Sequence, residues 1–202
     1  MFVQVIQGRV SDPGRMRAQL DKWIAELAPG ATGWLGSTSG VTDDGQAVAL
    51  VRFESEEAAR SNSDRPEQSA WWEEMAQLYD GEPVFHNSTA VEVDMQGDPA
   101  EAGFVQVMQG RVSDMARARE LMAADPVDWA SFRPDILGSL WLAHEDDGWT
   151  MALYFTSEAE ARVGERQEPP PELQQLMEEL GSLSIGDTTY FDLQDPWLHA
   201  PA

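Results

Sequence analysis

Cysteine is absent from the 202 residues, lysine occurs once (Lys22), and histidine occurs three times (His86, His144, His199). Without cysteine there can be no disulfide framework, zinc knuckle or thiol nucleophile. The histidines stand far apart with no i, i+4 partner, so no metal-ligand spacing is present. No apolar run approaches the ~20 residues a membrane-spanning helix requires. After Met1 no charged segment leads into an apolar stretch, and a cytoplasmic location is expected. Basic residues are few: 13 Lys+Arg against 36 Asp+Glu leave a formal net charge of −23. Such a surface repels nucleic acid and anionic membranes, and neither is expected as a partner. Gly36-Ser-Thr-Ser-Gly40 lacks the Gly-x-Ser-x-Gly spacing of a nucleophile elbow, and no glycine-rich loop has the phosphate-binding form.

What is present is repetition. Phe2-Val-Gln-Val-Ile-Gln-Gly-Arg-Val-Ser-Asp12 returns as Phe104-Val-Gln-Val-Met-Gln-Gly-Arg-Val-Ser-Asp114, an offset of 102 residues. The same offset carries Leu35-Gly36-Ser37 onto Leu137-Gly138-Ser139, and Phe53-Glu-Ser-Glu-Glu-Ala-Ala-Arg60 onto Phe155-Thr-Ser-Glu-Ala-Glu-Ala-Arg162. Solenoid repeats run about 20 to 50 residues, so a period this long means two copies of a small domain. An apolar fraction of 42%, with eight Trp and seven Phe, supplies a core for each.

Within the first copy, Phe2 to Val10 reads as a strand closed by Pro13-Gly14. Ser11 or Asp12 caps a helix whose apolar stripe is Met16, Leu20, Trp23, Ile24 and Leu27. Strands at about 33–41 and 47–53 meet across Thr42-Asp-Asp-Gly45, a strong hairpin signal. A short helical turn follows Ser55, a second helix opens at Pro66 with Trp71, Met75 and Leu78 on one face, and a last strand spans about 84–93. The order βαββαβ recurs in copy two, giving an α+β fold of two ferredoxin-like repeats. We assign residues 1–94 to repeat 1, 95–103 to a polar linker, 104–194 to repeat 2 and 195–202 to a C-terminal tail. Phe2, Ile6 and Val10 alternate with Val3 and Val5, so both faces of the first strand are apolar and both require cover. Sheet-to-sheet packing of the two copies as an intramolecular barrel is expected, in a monomeric pseudo-dimer.

The first strand, the Asp-Gly hairpin, the Phe-x-Ser-Glu-x-x-x-Arg segment and the Trp71-Trp72 helix resemble the dimeric α+β barrel superfamily. The branch most similar is that of the antibiotic-biosynthesis monooxygenase (ABM) domains, and the resemblance spans nearly the whole chain, once per copy. It implies a small aromatic or phenolic substrate and O₂ in a pocket between sheet and helices, with no metal, flavin or other cofactor. The haem-degrading branch fits worse, because the second helix carries Trp71-Trp72 and no histidine.

Comparison of the copies separates scaffold from site. Gln4 and Gln7 recur as Gln106 and Gln109, and either line a central cavity or pair across the sheets. Asn62, Arg65 and Trp72 have no counterpart: the offset places Gly164, Gln167 and Gln174 there. His86 falls near Ser184–Gly186. Trp71 maps onto Leu173 of the apolar stripe and reads as core, whereas Trp72 stands off that stripe as a candidate ligand wall. The resemblance implies that Asn62 hydrogen-bonds a substrate oxygen while Trp72 stacks on the rings, with Arg65 and Trp71 beside them. His86 is expected to act as base on a phenolic proton. The alternative is a non-catalytic barrel that binds a small apolar ligand or a protein partner.

Overall fold

The computed structural model describes residues 1–124 and 128–201; Ala202 of the expected tail lies outside them. The chain forms two compact units, Met1–Val91 with Asp195–Ala202, and Glu92–Gln194. The first is built from β1 (Phe2–Arg9), α1 (Pro13–Glu26), β2 (Trp34–Val41), β3 (Gln46–Phe53), α2 (Glu56–Ser63), α3 (Pro66–Ala76) and β4 (Val84–Ser88). After β5 (Ala90–Met95) come β6 (Phe104–Val112), α4 (Met115–Ala123), α5 (Trp129–Phe132), β7 (Ile136–His144), β8 (Gly148–Phe155), α6 (Glu158–Gly164), α7 (Pro171–Leu183) and β9 (Ser184–Leu193). β10 (Trp197–His199) ends the chain. The fold is α+β, with two repeated ferredoxin-like units as expected. The sheets are five-stranded, ordered β10-β2-β3-β1-β4 and β5-β7-β8-β6-β9.

Local signals decide the element boundaries. Asp12 Oδ1 accepts from Arg15 N at 2.9 Å and caps α1, and Asp114 caps α4 in the same way through Arg117 N. Ser55 and Ser157 cap α2 and α6. The first hairpin turns on Gly45 at φ +85°, whereas the second places Asp146 and Asp147 at φ +59° and +54°, the left-handed pair a tight hairpin demands.

Two findings go beyond the sequence reading. The single strand expected at about 84–93 is broken after Ser88, whose Oγ accepts from Ala90 N at 3.0 Å, and the residues beyond it leave the first sheet and join the second as β5. The expected tail is not loose coil: beyond Pro196 it forms β10, which pairs with β2 at the edge of the first sheet. Val3 and Val5 are fully buried, as Phe2 and Val10 are on the alternate positions, so both faces of β1 are covered.

A bulge between Trp34 and Gly36 shifts the β2–β3 register: Trp34 faces Phe53, and Ser37 faces Val51. Residues three apart normally point to opposite faces; the extra residue returns both to one face. Gly36 holds φ +128°, and a Cβ there would stand 2.5 Å from the His199 carbonyl oxygen. Gly36→Ala is therefore expected to lower unfolding stability by about 1–3 kcal/mol in urea titration. Gly181→Ala, on α7 with open space around it, is expected to raise stability by about 0.5–1 kcal/mol.

Candidate functional site

A cavity of about 540 Å³ lies within the first unit, between one face of its sheet and the helices α1, α2 and α3. Strand periodicity fixes which residues reach it. Phe2, Gln4 and Ile6 of β1 line it, as do Phe85 and Asn87 of β4, the cross-strand partners of Ile6 and Gln4. Helix periodicity adds Met16, Leu20 and Trp23 from α1 and Trp71, Trp72 and Met75 from α3.

The aromatic side chains form a continuous chain. Trp34 meets Trp23 edge-on at 5.1 Å, Trp23 meets Trp71 at 6.3 Å, and Trp71 meets Trp72 at 6.2 Å. Trp72 then touches Phe85 at 5.4 Å and Tyr79 at 6.5 Å. Tyr79 fits because residue 8 is glycine, where a Cβ would come within 2.7 Å of its ring. Burial pushes the Tyr79 phenol well above its ordinary pKa, so it stays neutral.

Several polar groups of the wall are oriented by hydrogen bonds. Asn62 is buried, and its Oδ1 accepts from Arg65 Nη1 at 2.9 Å. A guanidinium only donates, so the amide oxygen must face Arg65, leaving the Nδ2 donor for other partners. Arg65 is itself fixed by donating to Leu27 O at 3.1 Å and to Glu67 Oε1 at 2.9 Å, and its guanidinium rests against Gly30. Gln4 Nε2 donates to Asn87 Oδ1 at 3.0 Å. Trp71 Nε1 donates to Gln19 O and Trp23 Nε1 to Gln68 Oε1. Trp34 Nε1 and Ser37 Oγ, on two buried residues of the cavity wall, have no hydrogen-bond partner among the described residues.

Of the residues expected from the sequence, Asn62, Trp71, Trp72 and Gln4 share this cavity. Arg65 stands behind Asn62 as its orienting group. His86 does not join them. It pairs with Val5, and alternation puts it with Val5 and Gln7 on the opposite sheet face from Ile6 and Phe85. The base role expected for His86 in this pocket therefore has no geometry behind it, and Gln7 is equally turned away. Trp34, Ser37, Tyr79, Phe85, Asn87 and Trp197 also line the cavity.

The second unit treats the same positions differently. At Gly164, opposite Asn62 in the repeat, a Cβ would collide with the Arg133 guanidinium. Arg133 donates to Asp135 through Nε at 2.9 Å and Nη2 at 2.7 Å, both side chains being 11% exposed, and lies 5.6 Å over Phe155. Register equates Asn87 with Asp192, since Gln4 pairs with Asn87 and Gln106 with Asp192. Asp192 binds Arg162, which lies 5.2 Å over the Phe104 ring. The counterpart Arg60 instead pairs with Glu56 in solvent, the two side chains being 69% and 60% exposed.

No protein family and no curated protein matches the sequence. Solved structures do match. A protein from Fusobacterium nucleatum subsp. nucleatum, named as a candidate monooxygenase, superposes with a TM-score of 0.78 at 10% identity, over 98% of this chain and 94% of its own. The chain shares its α+β fold of two ferredoxin-like units. A second candidate monooxygenase, from Lactobacillus acidophilus NCFM, gives 0.73 at 11% identity over 98% of both chains. An anthrone oxidase-like protein gives 0.71 at 11% identity over 98% of this chain and 93% of its own. At these identities the likeness is one of fold.

The two adjacent tryptophans are expected to separate in denaturation experiments. Trp71 is 9% exposed and hydrogen-bonded, and Trp71→Ala should cost about 3–5 kcal/mol. Trp72, half-buried against the cavity, should cost clearly less when truncated. Equal losses in urea titration would make Trp72 a core residue.

Proposed function

We propose that the first unit binds a planar aromatic small molecule and oxidises it with O₂ in a monooxygenase-type reaction, while the second unit serves as scaffold. The observation that carries this reading is the unbroken aromatic wall from Trp34 to Phe85 with a buried, oriented amide, Asn62, set among it. Such a wall suits stacked rings. The Asn62 Nδ2–H suits a ring carbonyl, and its hydrogen bond strengthens as that oxygen gains negative charge.

A ring methylene beside a phenolic ketone supplies four electrons. The net change is R₂CH₂ + O₂ → R₂C=O + H₂O: one oxygen atom enters the product, the other leaves as water with both protons, and no external reductant is consumed. Loss of the first C–H proton converts the ketone to a phenolate, the charge that Asn62 stabilises. Glu56 and Glu73 are the carboxylates of the cavity wall able to receive that proton. The fold shared with candidate monooxygenases supports the reaction class.

A second reading, binding without turnover, is favoured by the position of His86, which leaves the cavity with no imidazole. Oxygen uptake by the purified protein with 1,8-dihydroxyanthrone distinguishes the two. Uptake with appearance of the quinone is expected. Asn62→Ala and Trp72→Ala should each abolish it, while Gln174→Ala in the second unit should leave it intact. Saturable binding of the anthrone with no uptake selects the second reading, and loss of activity in Gln174→Ala would move the site to the other half of the chain.

A further inference from the structure

The cavity runs across the whole first sheet. Its wall takes residues from all five strands, from Trp197 of β10 at one edge, through β2, β3 and β1, to Phe85 of β4 at the other. Four strand spacings make this span about 19 Å. Trp197 and Phe85 thus stand at the two ends of a slot whose sides are aromatic.

Trp197 is 7% exposed and belongs to the hydrophobic core of the unit, yet the strand that carries it is only three residues long. Backbone pairing with Ser37–Ser39 and a bond from Ser39 Oγ to Trp197 O at 3.3 Å hold it on one side. On the other side Arg17 of α1 pairs with Asp195 and lies 5.7 Å over the Trp197 ring. His199 Nε2 is 4.0 Å from Asp21 Oδ1. Burial keeps the His199 imidazole below its ordinary pKa, against the opposing pull of Asp21, so at neutral pH it is uncharged and this contact is no ion pair. Charge-based tethering of the strand to α1 therefore falls to Arg17.

We propose that Trp197 sets the length of ring system the cavity accepts, and that β10, latched by Arg17, presents it. The inference rests on the reading of the cavity as an aromatic-ligand site. Trp197 is the end stop: an indole held at the sheet edge stacks on or abuts the far ring of the ligand, and a longer fused system meets it before the near end is seated. The corresponding stop at the other edge, Phe85, sits on a five-residue strand paired along its whole length with β1.

Two rigid probes test this by quenching of tryptophan fluorescence: 9-fluorenone, with three fused rings, and 5,12-naphthacenequinone, with four rings in line. The wild-type protein is expected to prefer fluorenone. Trp197→Ala should weaken fluorenone about tenfold and strengthen naphthacenequinone, inverting the preference. Arg17→Ala should shift both affinities in the same directions by a smaller factor. Because the chain has no cysteine, the pair Thr38→Cys and Leu198→Cys, Cα partners across β2 and β10, forms a lock with no competing thiol. When oxidised, the lock should restore wild-type preference to Arg17→Ala but not to Trp197→Ala. Equal weakening of both probes by Trp197→Ala, or no change in either, overturns the size-limiting role and leaves the cavity reading standing. Failure of the oxidised lock to rescue Arg17→Ala overturns the latch. If neither probe binds the wild-type protein, the cavity reading itself falls.

Discussion

An arginine side chain can donate hydrogen bonds but cannot accept them, and it keeps its charge at any physiological pH. The state of each repeat follows from where its arginines find acceptors. In the first unit Arg65 is satisfied behind the cavity by Leu27 O, Asn62 Oδ1 and Glu67. Arg60 is satisfied by Glu56, a largely exposed pair on the cavity wall. Neither guanidinium is buried among the tryptophans, and Asn62 is the buried amide set beside them. In the second unit Arg133 turns inward onto Asp135 and Arg162 inward onto Asp192, and the space an amide would need at position 164 is taken by a guanidinium.

These differences come as matched sets. Arg133 has room because residue 164 is glycine, and its charge is tolerated at 11% exposure because Asp135 meets it with two hydrogen bonds. Arg162 leans over Phe104 because Asp192 stands where the first unit has neutral Asn87. Removing Asp135 alone would strand the buried Arg133 charge, which is strongly destabilising. Divergence of a duplicated domain is therefore constrained to pass through paired changes. The two repeats keep nearly identical first strands while the residues at the positions of Asn62 and Asn87 have become chemically unlike.

The duplication, the element order and the caps were all legible in the sequence, because each depends on residues close along the chain: Asp12 caps its own helix, and Asp146-Asp147-Gly148 makes its own turn. Asn62 and Trp72 were legible because copy two lacks them at the fixed offset of 102. That offset fails in the last strand of each repeat: Asn87 and Asp192 stand 105 apart. Aligning His86 with Ser184–Gly186 hid the pairing partner that assigns its face. The bulge at Gly36, which turns Trp34 and Ser37 onto one face, breaks the period-two count from within. Trp197 was invisible for another reason. Its place is set by pairing with Ser39, 158 residues earlier, and nothing local to Trp197 announces it.

The break at Ser88 has a consequence for the order in which the molecule is made. A chain emerges from the ribosome N-terminus first, and domains ordinarily fold as they appear. Here the residues after Ser88 leave the first sheet, and the strand that completes that sheet at its β2 edge is synthesised only after the second unit. Until then the edge of β2 carries unpaired backbone groups, with the cavity side of Ser39 uncovered. The first unit begins to fold before the second and is finished after it. Its cavity gains the Trp197 wall only once the second unit has been made, so a finished cavity in the first unit reports on synthesis of the second.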